Sequence, residues 1–166
     1  IYVSPDGSKK VAGICMGPTM DMAIIRELFH NSIQASRLLG VDEEFRDLLE
    51  QRLQQLRPYK IGRYGQLQEW SHDFEEYEPG HRHLSHLYGL MPGKEITPRE
   101  TPEWAQAARR SLERRLLYDR GVGGWSLAWH MNLWARLEEG DLAYEAFLKL
   151  IQRATHPSLL NKGGLR

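Results

Sequence analysis

Apolar positions along the chain repeat with a helical period almost throughout. After Pro18-Thr19, the residues Ile24, Ile25, Leu28, Leu38 and Leu39 recur at helical spacing, which predicts a helix over about 21–39 with Gly40 as a left-handed stop. Asp42 stands where an N-cap is expected. Phe45, Leu48, Leu49, Leu53 and Leu56 then stripe one face of a second helix, ended by Pro58. A short helix over about 83–90 is broken by Pro92-Gly93. Thr101-Pro102 supplies a capping hydroxyl and a proline for the first turn of the next helix. That helix runs to about 118 and turns Trp104, Ala108, Leu112 and Leu116 inward. Gly121, Gly123 and Gly124 form a turn before a helix over about 125–137, on which Trp129, Leu133 and Leu137 are packing residues. Glu139-Gly140-Asp141 separates it from a last helix over about 142–153. No run alternates in a way that predicts a strand, so the expected fold is all-α, built from antiparallel helix pairs.

The chain divides coarsely into an irregular or short extended lead-in over 1–20, a helix pair over 21–57, a loop over 58–80 and helices over 81–166. No fixed motif repeats, which disfavours a consensus solenoid. At 166 residues and 41% hydrophobic, the chain suits one globular unit. Its 22 basic and 22 acidic side chains cancel, so long-range attraction to nucleic acid or an anionic membrane is absent. No apolar stretch reaches the roughly 20 residues of a spanning helix. Cys15 is the single cysteine, so no intrachain disulfide can form. The chain starts on Ile1 and closes on Gly163-Gly164-Leu165-Arg166, and it is expected to be a single piece of a longer protein, spanning 1–166.

Three stretches carry candidate chemistry. In Gly65-Gln66-Leu67-Gln68-Glu69-Trp70 a carboxyl beside an indole can be desolvated into an acid near neutral pH, and the two amides can bind hydroxyl groups. The same spacing fits a helix-capping glutamate and a core tryptophan at a loop entry. In His81-Arg82-His83-Leu84-Ser85-His86-Leu87-Tyr88, Arg82 and the imidazoles offer donors for sugar hydroxyls or a carboxylate. Metal spacing is lacking there, and His86 reads as a buried, hydrogen-bonded histidine. In Trp125-Ser126-Leu127-Ala128-Trp129, the indoles of Trp125 and Trp129 share a helical face on which a sugar ring could rest, although such stripes more often pack a core.

Two charge clusters read as solvated surface. Asp73, Glu75, Glu76 and Glu78 lack the alternating loop spacing of a calcium site and fit an acidic loop. Arg109, Arg110, Arg114, Arg115 and Arg120 form a basic helix face, solvated or salt-bridging between helices. No metal and no cofactor is expected.

Taken together, these motifs resemble glycoside hydrolase family 95, the inverting α-L-fucosidases. The resemblance is carried by Gly17-Pro18-Thr19-Met20-Asp21, Ile61-Gly62, Gly65-Gln66-Leu67-Gln68-Glu69-Trp70 and His81-Arg82-His83-Leu84-Ser85-His86-Leu87-Tyr88-Gly89-Leu90. Gly124-Trp125-Ser126-Leu127-Ala128-Trp129 and Leu133-Trp134-Ala135-Arg136-Leu137 follow in order. It implies an (α/α)6 barrel, of which these helices would be about half. It further implies a fucosylated oligosaccharide or glycan as partner, a secreted or periplasmic parent, and the remainder of a catalytic domain to pack against. Arg82 and His83 match the family's substrate-binding Arg-His pair. Glu69 matches a motif glutamate at the barrel mouth and is the candidate catalytic residue within the chain. The family's paired asparagines have no counterpart here. Ser4-Pro5-Asp6-Gly7 departs from its acid motif, and its base motif is expected beyond Arg166. The substrate-binding set is therefore Glu69, Trp70, Arg82, His83 and Trp125. The alternatives are an α-L-galactosidase on the same scaffold and a non-catalytic all-helical interaction module, which would scatter these residues.

Overall fold

The computed structural model describes residues 2–3, 7–10, 14–118 and 123–162. Among them, helices α1 (Thr19–Leu39), α2 (Glu43–Leu53), α3 (Pro102–Leu117), α4 (Gly124–Arg136) and α5 (Gly140–Ala154) account for nearly all regular structure. The all-α expectation holds, and each of the five longer predicted helices is present within a few residues of its expected ends. α1 packs on α2 and α4 on α5, each pair joined by a short turn. Gly40 closes α1 at φ 67°, with its N–H on the Ser36 carbonyl, the left-handed stop that a residue without Cβ adopts at least cost.

The local chemistry of two predicted caps differs from expectation. Asp42 precedes α2 but is itself left-handed (φ 57°) and makes no side-chain cap bond. The Thr101 hydroxyl accepts from Thr97 N–H at 2.8 Å and turns back toward the 95–97 backbone, so it braces the preceding turn instead of the helix. The predicted helix over 83–90 shrinks to a 3-10 turn, Ser85–Leu87. The carbonyls that would extend it are taken by the following turn: Gly93 N–H donates to Tyr88 at 2.8 Å, and Ile96 N–H to Gly89 at 3.0 Å. The chain passes so tightly here that a Cβ on Gly93 would lie 2.6 Å from the Tyr88 carbonyl oxygen.

A minimal antiparallel sheet is also present, two of its strands lying in the lead-in, which reads as irregular or short extended chain. β1 (Tyr2–Val3) pairs with β2 (Lys9–Lys10) and with β3 (Glu75–Glu76), in the order β2-β1-β3. Two-residue strands are too short to show a period, which is why no alternating run marks them.

The core lies between α3, α4 and the long connection from α2 to α3. Leu67, Leu87, Leu90 and Ile96 from the connection meet Ala108 and Leu112 of α3, Leu133 and Trp134 of α4, and Leu137 just past its end. Arg136 of α4 ties the turn down by donating to the carbonyls of Leu90 (3.0 Å) and Gly93 (3.2 Å). Trp129 packs against this cluster from one side, as its spacing predicts. The apolar stripes of the first hairpin are only partly covered: Leu49 is buried, whereas Leu28, Leu38, Leu39 and Phe45 remain exposed.

Candidate functional site

The segment carrying Glu69 lies along one face of α3. Same-side residues of an extended chain are roughly 6.6 Å apart, and four residues of a helix rise about 6 Å, so the two repeats run in step. Leu67 N–H donates to the Ala107 carbonyl at 3.1 Å and to the Ser111 hydroxyl at 2.9 Å. One turn further along α3, Arg115 Nη2 donates to Glu69 Oε2 at 2.9 Å. From the other side, Thr19 N–H donates to the Glu69 carbonyl at 3.0 Å, and the Thr19 hydroxyl donates to the Gln68 carbonyl. Donors of the first turn of α1 are thereby satisfied by the Gln68–Glu69 backbone. Glu69 thus sits at a junction of α1 and α3.

Its carboxylate is surrounded by donors. Ser85 Oγ donates to Oε1 at 3.2 Å, beside the Arg115 contact on Oε2. His86 Nδ1 lies 3.7 Å from Oε2, beyond hydrogen-bond reach, and has no other hydrogen-bond partner. The neighbour that the sequence suggested, an indole, is not what meets the carboxylate. A guanidinium and a hydroxyl do, which is the setting of an acceptor. Gln66 and Gln68 are not free to bind hydroxyls as expected. Both are buried: Gln66 Oε1 accepts from Tyr64 N–H at 2.9 Å, and Gln68 Nε2 donates to the Trp70 carbonyl at 2.7 Å.

A pocket of about 500 Å³ opens above Glu69, walled by residues 72–78 on one side and by His81, His83, Ser85 and His86 on another. The acidic wall is not the solvated loop its composition suggested. Asp73 pairs with Arg63 (3.1 Å) and Glu76 with both Arg114 (2.6 Å) and Arg115 (3.1 Å). Nor is the basic face of α3 wholly at the surface, because Arg115 is buried. Arg120 lies outside the described residues. Among the described residues no group of three or more His, Cys, Asp or Glu side chains is placed to hold a metal ion.

The structure gathers most of the sequence-derived candidates. Glu69, Trp70 and His83 line the pocket, with Trp70 half-exposed at its edge and not in the core. Trp125, in the first turn of α4, is 64% exposed and presents its ring edge-on to His83, with centroids 6.4 Å apart. Trp129 continues the aromatic row at 5.7 Å. Arg82 is exposed on the same loop as His83 and stands outside the pocket lining. Arg115 and Ser85 were not singled out, and His86, expected to be buried and hydrogen-bonded, is buried but leaves Nδ1 without a hydrogen bond. A signal for Arg115 existed: Ala107, Ser111 and Arg115 recur at four-residue spacing, each just before an inward residue, Ala108, Leu112 or Leu116.

Burial pushes the His86 imidazole below its ordinary value of 6.5, and the nearby Glu69 offsets this only in part. The unfolded chain therefore takes up a proton that the folded one resists. Stability from this site is fully present above pH 6.5 and is lost as pH falls toward the lower folded value. Denaturation of the full-length protein at about pH 7.5 and about pH 5 is expected to show a larger acid loss than that of a His86→Gln variant. Equal losses would remove His86 as the source.

Residues 2–164 match the glycosyl hydrolase family 95 catalytic domain, and the chain belongs to that family. The fold of that family is the (α/α)6 barrel, of which helix pairs such as α1–α2 and α4–α5 form part. The chain is 39% identical over 145 residues to alpha-L-fucosidase 2 of Arabidopsis thaliana, a match covering 87% of this chain and 17% of that protein. It is 30% identical over 177 residues to the probable alpha-fucosidase A of Aspergillus oryzae, covering 99% of this chain and 24% of the relative. For the probable alpha-fucosidase A of Aspergillus niger the figures are 31% over 157 residues, 90% and 19%. The chain thus spans less than a quarter of the length of these relatives.

Proposed function

We propose that the full-length protein containing these residues removes terminal α-L-fucose from oligosaccharides or glycans by an inverting displacement. The observation that carries this reading is the common pocket of Glu69, Trp70 and His83, with Trp125 against His83 outside the pocket lining. In an inverting reaction one carboxylic acid protonates the leaving oxygen while a second carboxylate activates water on the opposite face, the two standing roughly 6.5–9.5 Å apart. These residues take the binding side of that chemistry. Glu69, fixed by Arg115 and Ser85, accepts from sugar hydroxyls. His83 and Arg82 hold others, so the ring is fixed for in-line attack. Trp70 and Trp125 offer apolar faces to the C–H side of a sugar.

The test is release of free fucose from 2′-fucosyllactose by the full-length protein, with the anomeric form of the product followed by NMR. Inversion and turnover are expected; absence of turnover on fucosides overturns the reading. Arg82→Ala is expected to raise KM about 10- to 100-fold with a smaller change in kcat, the loss of a charged hydrogen bond used in binding. An unchanged KM would remove Arg82 from the site.

A further inference from the structure

Arg115 joins two parts of the pocket that are distant in sequence. It is 6% exposed and projects from α3 between carboxylates of separate segments. Nη2 donates to Glu69 on the floor at 2.9 Å. Nη1 pairs with Glu76 on the wall at 3.1 Å and donates to the carbonyls of Glu78 and Pro79, each at 3.2 Å. Those two carbonyls immediately precede the loop that carries His81, Arg82 and His83. A planar guanidinium spans all of these acceptors with fixed angles, which an ammonium cannot reproduce. A buried pair of this kind is weak evidence for stability, because desolvation offsets the attraction, whereas it fixes geometry well.

We propose that Arg115 is a positioning residue of this pocket. It aims the Glu69 carboxylate and, through Glu76 and the Glu78 and Pro79 carbonyls, sets the separation between that carboxylate and the loop bearing Arg82 and His83. Arg115 also lines the pocket, but its Nη1 and Nη2 are turned to these protein acceptors, so its part is to hold them in place. The proposal rests on the reading of the pocket as a fucose site, and its test separates the two.

In the full-length protein, Arg115→Met, Arg115→Lys, Glu69→Ala and the Glu69→Ala/Arg115→Met double variant are compared for fucose release. Arg115→Met is expected to lower kcat/KM about 100-fold, mainly through KM, the scale of a small misplacement at a binding group. Arg115→Lys is expected to recover only a minor part. In the Glu69→Ala background the same Arg115→Met change is expected to cost only about 10-fold, because one of its two targets is gone and the loop alone is misplaced. Equal costs in both backgrounds would overturn the proposal. Hydrogen exchange gives a readout independent of turnover. Arg115→Met should speed exchange at the amides of residues 67–70 and 76–78 together, whereas Glu69→Ala should affect only the first group. Unchanged exchange at 76–78 in Arg115→Met overturns the positioning role. A protein that cleaves no fucoside but shows the coupled exchange overturns the fucosidase reading and leaves Arg115 as assigned.

Discussion

Replacing Glu69 with alanine in the full-length protein is expected to lower kcat/KM for fucoside cleavage by about 100- to 1,000-fold. Two losses combine. A sugar hydroxyl loses its charged acceptor, and Arg115, which is buried, is left facing Ser85 and His86 with no carboxylate on that side. A charged hydrogen bond contributes about 1.5–3 kcal/mol to binding, and a small misplacement of its neighbours can cost about 100-fold, which sets the scale for activity. The stability cost is moderated because Arg115 keeps Glu76. Glu69→Gln should recover part of the stability and little of the activity, since an amide meets a guanidinium with a donor on one side. The identity of the leaving group separates binding from acid catalysis. A lost acid is partly rescued by an aryl fucoside, whose leaving group departs without protonation, whereas a lost acceptor is not. Equal losses on 2′-fucosyllactose and on 4-nitrophenyl α-L-fucoside are expected. Selective rescue on the aryl substrate would return Glu69 to the acid role.

The second large effect concerns folding. Gly93→Ala is expected to destabilise the protein by about 2–3 kcal/mol, the cost of forcing atoms into a closed site. The added Cβ would meet backbone on two sides, at 2.6 Å from the Tyr88 oxygen and 3.1 Å from the Gly89 Cα. Neither can swing away as a side chain can. Their neighbours Leu87, Leu90 and Ile96 are fully buried, and Arg136 holds the Gly93 carbonyl from α4. Denaturant titration should show a lower midpoint with an unchanged slope. Gly140→Ala, where nothing lies within 4 Å of the new Cβ, serves as the comparison and should differ little from the parent protein. An unaltered midpoint for Gly93→Ala would mean the turn is looser than its contacts indicate.

What could be read from the sequence follows the range of the forces involved. Helices α1, α3, α4 and α5 announce themselves because i, i+4 spacing, a Gly40 stop and a Pro102 start are local signals. The connection between α2 and α3 is the opposite case. Its order comes from partners far along the chain: Leu67 on Ala107 and Ser111, Gln68 and Glu69 on Thr19, Glu76 on Arg114 and Arg115. Composition alone renders that stretch as a solvated acidic loop. The pocket suffers the same limit. Glu69 and His83 stood out because their motifs are dense in polar and aromatic residues. Arg115 did not, since an arginine among three others on a helix reads as surface until the segment that buries it is placed. Asp42 and Thr101 show the converse, a familiar capping residue at a helix start whose side chain is not used as a cap.

The stripe of Ala107, Ser111 and Arg115 carries a consequence for how this region tolerates changes of length. Each residue of a helix turns the next by about 100°. Deleting or inserting a single position between 107 and 115 would rotate Arg115 away from Glu69 while leaving Ala107 against Leu67, so floor and wall would lose their common anchor at once. The turn over 40–42, on an exposed and loosely covered hairpin, has no such indexing. Among naturally occurring or engineered variants of this protein, length differences should therefore collect at that turn and be purged from α3, even where every substituted side chain is conservative.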